Sequence, residues 1–235
     1  EWRTEFRIKE LMPEGVINSD TVLVLVNAIY FNAAWLKLFD EKDTRTGTFY
    51  KLDDSTVMVP LMEQDEEHGY TFGDGYQAVE LLYDGEELSM VIILPQIDRF
   101  EEIESSLSAE FLDGITGSLQ DYDVILTLPR FECESEFSLA NTFFGMGMED
   151  AYIPGVADFS GIDGSHALFL TDVIHKGWVA VSETGTEAAA ATGGSFGSTS
   201  APQKMYFRAD HPFIFFIRDV ETETILFVGR ILDPS

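Results

Sequence analysis

Apolar residues along this chain recur mostly as short runs and period-two alternations, which predict strands. Thr21 to Phe31 (TVLVLVNAIYF) is a nearly continuous β-branched and aromatic run. It reads as a central strand covered on both faces, since a strand with one wet face alternates. Asn27 interrupts the run, and a buried amide there needs partners. Val57–Met62, Tyr76–Tyr83 and Leu88–Leu94 read as successive strands. Tyr83-Asp84-Gly85-Glu86 predicts a hairpin turn, because Asp-Gly tolerates positive φ. Pro95 ends the third strand, as a missing amide hydrogen should. Tyr122–Phe131 alternates as a further strand. Ala167–Val181 joins a short apolar segment to a strand, with His175-Lys176-Gly177 at the join. Lys204–Ile217 and Glu223–Ile231 are the last two strands.

Helical spacing is rarer. Phe100, Ile103, Leu107 and Phe111 fall on one face of a predicted helix over 100–113, whose outer face is acidic. Leu139–Met146 reads as a short helix, and Asp158-Phe159-Ser160-Gly161 as a turn. Residues 1–12 read as a helix remnant that Pro13-Glu14-Gly15 closes. The polar stretch 40–56 suits surface strands or loops. With no internal repeat and no interdomain linker, the expectation is a single α+β domain dominated by strands.

One segment breaks the pattern. Glu183–Thr192 (ETGTEAAAAT) runs into GGSFGSTSAP. Its small residues could form an exposed loop or a strand buried in a sheet. A structureless loop of about 20 residues inside a compact domain points to function or disorder.

Charge narrows the partners. The chain has 235 residues, with 42 acidic against 14 basic, a net of -28. Nonspecific attraction to nucleic acid or an anionic membrane is not expected, because phosphate binding needs a basic face. Such an excess suits adaptation to high salt, where self-repulsion is screened; the plainer alternative is an ordinary acidic protein. Cys133 is the only cysteine, so an internal disulfide is excluded. Its alternating surroundings suggest a half-buried strand position rather than a reactive thiol. No apolar run reaches the ~18 residues of a membrane span. The opening EWRTEFRIKEL is not a signal peptide, and without an initiator methionine the chain reads as processed, truncated or part of a longer product.

Catalytic signatures are missing. No phosphate loop, HExxH, paired CxxC or GxSxG elbow occurs. The four histidines, His68, His166, His175 and His211, lack metal-ligand spacing. A Ser-His-Asp triad can be assembled only by arbitrary choice. Neither a metal nor a cofactor is expected, nor is an enzyme.

Longer motifs carry a family likeness. LVNAIYFNAAW (25–35), MVPLMEQ (58–64), LTLPRFECESEFSLANTFFGMGM (126–148), VIHKGWVAVSETGTEAAAAT (173–192) and FRADHPFIFFIRDVETETILFVGRILDP (207–234) span most of the chain. Together they resemble the serpins. The resemblance implies the serpin fold: a large, mostly antiparallel central sheet, further sheets, surrounding helices and an exposed reactive-centre loop. It also implies an incomplete serpin domain over 1–235, whose N-terminal helical part precedes Glu1, as a separate fragment of the same protein or lost. A secreted or extracellular setting is favoured.

By that resemblance the protein inhibits serine proteases as a suicide substrate, its cleaved loop inserting into the central sheet with the acyl-enzyme attached. The hinge and loop occupy 183–206. Glu183, Gly185, Thr186 and Glu187 match the proximal hinge, and Ala188, Ala189, Ala190 and Ala191 the small-residue segment that follows. Alternation places Thr186, Ala188, Ala190 and Thr192 on the face assigned to the sheet interior. Larger side chains there would overpack at ~1–3 kcal/mol each. Asn27 and His175 match a buried polar pair beneath the strands that part, and Trp35 the large aromatic where the loop enters. Counting from the hinge puts the scissile bond at Thr199–Ser200; counting back from His211-Pro212-Phe213 favours Ser200 or Ala201. Cleavage just before Pro202 is disfavoured, because that site lacks an amide hydrogen. Small residues suit an elastase-like or subtilisin-like target, while Phe196 offers a chymotrypsin-like alternative. A non-inhibitory serpin, acting as a binding, storage or chaperone protein, is the competing expectation.

Overall fold

The computed structural model describes Ile8, Met12, residues 14–186 and residues 204–235. Of the helix read over 1–12 only Ile8 and Met12 are described, and the loop positions Glu187, Ala188–Ala191, Thr192, Phe196, Thr199, Ser200 and Ala201 lie outside the described residues. In chain order the first strands are β1 (Leu23–Tyr30), β2 (Ala33–Ala34), β3 (Arg45–Tyr50), β4 (Thr56–Gly73), β5 (Tyr76–Leu82) and β6 (Leu88–Pro95). Helices α1 (Phe100–Ser105) and α2 (Ala109–Thr116) precede β7 (Gln120–Pro129) and β8 (Phe131–Ser138). Helices α3 (Ala140–Gly145) and α4 (Ser160–Asp163) lead to β9 (Leu170–Val181) and β10 (Gly185–Thr186). The last strands are β11 (Met205–Arg208), β12 (Phe213–Asp219) and β13 (Ile225–Ile231).

These elements form two compact units, the described residues of Glu1–Phe31 with Cys133–Val179 and those of Asn32–Glu132 with Ala180–Ser235. In the first, β1 and β9 pair in parallel from Leu23↔Leu170 to Tyr30↔Trp178, in a sheet ordered β1-β9-β8. Tyr30 stacks on Trp178 at 5.5 Å between ring centroids. The strand expected to be covered on both faces is instead a sheet edge, with Leu25 45% and Val26 39% exposed. A continuous apolar run reports what a strand is built to bury, and no second strand among the described residues pairs with β1. His175-Lys176-Gly177 also proves not to be a join. All three lie inside β9, in register with Asn27, Ala28 and Ile29. Cys133 is a half-buried position of β8, and burial raises its thiol pKa.

The second unit holds a larger sheet ordered β11-β7-β4-β5-β6-β12-β13, with β3 added to β4. Ala78, Val91, Ile93, Ile214 and Phe216 form one buried sheet face, covered by Phe100 and Ile103 of α1 and Leu112 and Ile115 of α2. The helix expected over 100–113 is broken between these two. Ser108 adopts extended dihedrals and its Oγ accepts from Phe111 N (3.2 Å), so a new helix begins there. The single strand expected over Lys204–Ile217 is likewise two: β11 runs parallel to β7, β12 antiparallel to β6. Pro212 lies between them and cannot donate to a ladder. Beside it, the His211 ring bonds to Pro95 O (2.8 Å) and Asp210 Oδ1 (3.0 Å).

Strand β4 is far longer than Val57–Met62. Its polar half, Glu63–Gly73, hides a strand because Gln64, His68 and Tyr70 face inward while Glu63, Asp65 and Glu67 face water. Backbone pairing to β7, from Leu61↔Pro129 to Tyr70↔Gln120, holds this half in place whatever its polarity. At the predicted hairpin, positive φ falls on Gly85 (92°) and Glu86 (62°). Asp158–Gly161, expected as a plain turn, opens α4, with Ser160 N donating to Asp158 Oδ1 (3.1 Å).

Candidate functional site at the strand-to-loop hinge

Strand β9 stops at Val181, and the chain folds back on itself at once. Ser182 N donates to Gly185 O (2.9 Å) and Gly185 N to Ser182 O (3.2 Å). Gly185 has φ +137°, and a Cβ there would lie 2.3 Å from Ala33 O. That backbone conformation and that contact both require glycine. Strand β10 then pairs antiparallel with β2, Gly185 opposite Ala34 and Thr186 opposite Ala33.

Glu183 ties this turn down, its side chain only 4% exposed. Its Oε1 accepts from Arg130 Nε (2.8 Å), Arg130 Nη2 (2.5 Å) and Thr44 Oγ1 (2.5 Å). Burial pushes the Glu183 carboxyl pKa up, but these donors outweigh it and hold the pKa below the ordinary 4.5. The backbone joins in, with Phe39 N donating to Glu183 O (3.0 Å) and Trp35 N to Thr184 O (3.1 Å).

An aromatic floor completes the hinge. Trp35, 2% exposed, donates from Nε1 to Ser182 O (3.0 Å). Its ring stacks on Tyr83 with centroids 4.5 Å apart and planes 14° apart. The Tyr83 hydroxyl shares a 2.9 Å hydrogen bond with Thr186 Oγ1, and Thr186 is wholly buried. Burial pushes the Tyr83 phenol pKa far up, so the bond is made by a neutral hydroxyl.

The hinge therefore brings together Glu183, Gly185, Thr186 and Trp35 of the residues expected from sequence. Asn27 and His175 form a separate pair in the first unit, Asn27 Nδ2 to His175 Nδ1 at 3.3 Å. The pair is not buried as expected, because Asn27 sits exposed on an edge strand. Sequence reasoning passed over Thr44, Tyr83 and Arg130. Arg130 had a readable signal: it is a cation near the end of the Tyr122–Phe131 run, in a chain with 14 basic residues, where a buried Glu183 needs a partner. Among the described residues no three His, Cys, Asp or Glu side chains cluster as metal ligands, and no helix is long and apolar enough to cross a membrane.

The chain belongs to the serpin family, whose model, described as serine protease inhibitor, matches residues 1–234. It is 42% identical to an uncharacterized serpin-like protein of Thermococcus kodakarensis, covering all of this chain and 55% of that one. It is 40% identical to leukocyte elastase inhibitor A of Rattus norvegicus, over 99% of this chain and 64% of the relative. The crystal structure of human thyroxine-binding globulin complexed with its hormone superposes with a TM-score of 0.86 at 27% identity. That match covers the whole of this chain and 62% of the globulin. The chain thus spans between half and two thirds of the length of these relatives.

Proposed function

We propose that this protein is an irreversible inhibitor of serine proteases, not an enzyme, and that it traps its target by inserting the cleaved loop as a strand. The observation that carries this reading is the seat of Thr186, a small side chain buried against Tyr83 where the chain leaves β9. A residue seated in the interior at the loop's base gives insertion a fixed start. The loop then enters between β1 and β9, whose parallel ladder has eight register pairs to separate. Asn27 and His175 hold that seam by a bond that water can replace. Small side chains from Ala188 to Thr192 let the new strand close without overpacking.

The scissile bond is Thr199–Ser200, with Ser200–Ala201 as the alternative. Such small residues suit an elastase-like or subtilisin-like protease, and similarity to a leukocyte elastase inhibitor supports the first. A separate N-terminal fragment is the partner that covers the open edge of β1, where Leu25 and Val26 are exposed. The net charge of -28 is an adaptation to high salt, so the melting temperature should climb between low and molar salt. An unchanged melting temperature refutes that adaptation.

The full-length protein mixed with pancreatic elastase or subtilisin should give a complex that survives denaturing electrophoresis. Mass spectrometry of the same reaction locates the cut. Thr186→Arg should convert the protein into a substrate, leaving cleaved chain and active protease. If the unaltered protein yields only cleaved chain and active protease with both enzymes, the inhibitory reading fails. A non-inhibitory binding protein is then the better reading, which similarity to a thyroxine-binding globulin supports.

A further inference from the structure

Away from the hinge, the second unit contains a cavity of about 350 Å³ that loop insertion does not use. Buried His68 and Leu81 line it together with half-buried Lys37, Leu82 and Leu119. Glu67 and Asp121, both exposed, stand at the mouth. Space comes partly from Gly69, where a Cβ would meet Glu80 Oε2 at 3.3 Å and Leu119 Cβ at 3.7 Å. The volume lies in the range of small-ligand sites, commonly about 300–1,000 Å³.

His68 makes this cavity unusual. Its side chain is 7% exposed, yet among the described residues Nε2 has no hydrogen-bond partner. The Glu80 main chain supports the ring, while burial, assisted by the nearby Lys37 ammonium, lowers its pKa to about 4. The imidazole is therefore neutral at neutral pH, and Nε2 offers a lone pair. A buried acceptor without a donor is costly, so a ligand that supplies one gains most at that point.

The walls specify the rest of the ligand. Leucines along the sides favour an apolar or aromatic body. Lys37, whose Nζ donates to Glu67 O, also lines the cavity, but the carboxylates of Glu67, Glu80 and Asp121 outnumber it, which favours a cation over an anion in a chain of net charge -28. Glu80 is already committed to Arg218 (2.8 Å) and Ser89 (2.7 Å), which leaves Glu67 and Asp121 to receive that charge.

We infer that this cavity binds a small phenolic amine, its hydroxyl donating to His68 Nε2, its ring between Leu82 and Leu119, and its ammonium against Glu67 and Asp121. Tyramine is the probe. ¹⁵N-histidine labelling of the full-length protein gives a spectrum in which His68→Phe identifies the His68 lines by their loss. Tyramine should shift the His68 Nε2 resonance saturably. Phenethylamine, without the hydroxyl, and 3-(4-hydroxyphenyl)propionate, with the charge reversed, should each bind at least tenfold more weakly. Gly69→Val, which fills the cavity but keeps His68, should abolish the shift while the protein stays folded. An unmoved His68 line at 10 mM tyramine overturns the inference, as does equal binding by either analogue, or equal tyramine binding by His68→Phe in titration calorimetry.

Discussion

The hinge and the β1–β9 seam are both held by polar side chains, yet they are held differently. At the hinge, a buried carboxylate takes three side-chain hydrogen bonds, and a buried threonine is bonded to a buried tyrosine. At the seam, one amide meets one imidazole at 3.3 Å on a strand whose edge, in this chain without the proposed N-terminal fragment, is open to water. A bond that water can replace adds little net stability, whereas a buried bond that is broken leaves the full desolvation penalty behind. In the proposed inhibitor this difference sorts the parts by task. The loop's base stays fixed while the seam exchanges partners.

Removing the carboxylate should have the largest effect. Glu183→Ala is expected to cost about 2 kcal/mol, somewhat less than for a fully buried pair, because the Arg130 side chain keeps 44% of its surface in water. At about 3 °C per kcal/mol for a domain of this size, thermal melting resolves the loss easily. The same group gives a pH signature. Its folded pKa lies below 4.5, so its contribution is fully present above pH 4.5 and is lost as pH falls through the lowered value. Glu183→Ala should flatten that acid limb of the stability curve; an unchanged limb means the clamp contributes nothing.

Tyr83→Phe should have an intermediate effect, about 1 kcal/mol, since it leaves Thr186 Oγ1 buried without that partner. Asn27→Ala should have the smallest, about 0.5 kcal/mol in this chain without the proposed N-terminal fragment, because water replaces the lost amide. If Asn27→Ala costs as much as Tyr83→Phe in chemical denaturation, the contrast between hinge and seam collapses.

Much of this architecture was legible in the residues, for reasons that also explain the gaps. Apolar runs such as Leu88–Leu94 announce strands because burial selects them, and β6 follows closely. The second half of β4 escaped notice, since an acidic strand is held by pairing with β7 rather than by its own composition. The break at Ser108 was hidden because one serine can cap a helix without disturbing the apolar spacing around it. Of the site, Gly185, Thr186 and Glu183 stood out by resemblance. Tyr83 and Arg130 read only as positions of the strands Tyr76–Tyr83 and Tyr122–Phe131, because the residues around each do not report a contact between distant segments. His68 lacks metal-ligand spacing; its interest comes from burial, which spacing does not report.

The most direct test of the central claim is the melting temperature of the full-length protein before and after cleavage in its loop. Loop insertion between β1 and β9 should replace their mutual ladder with two new ones, so the cleaved protein is predicted to melt at a markedly higher temperature than the intact one. Equal melting temperatures, with mass spectrometry confirming a cut between Thr199 and Ala201, would contradict the account.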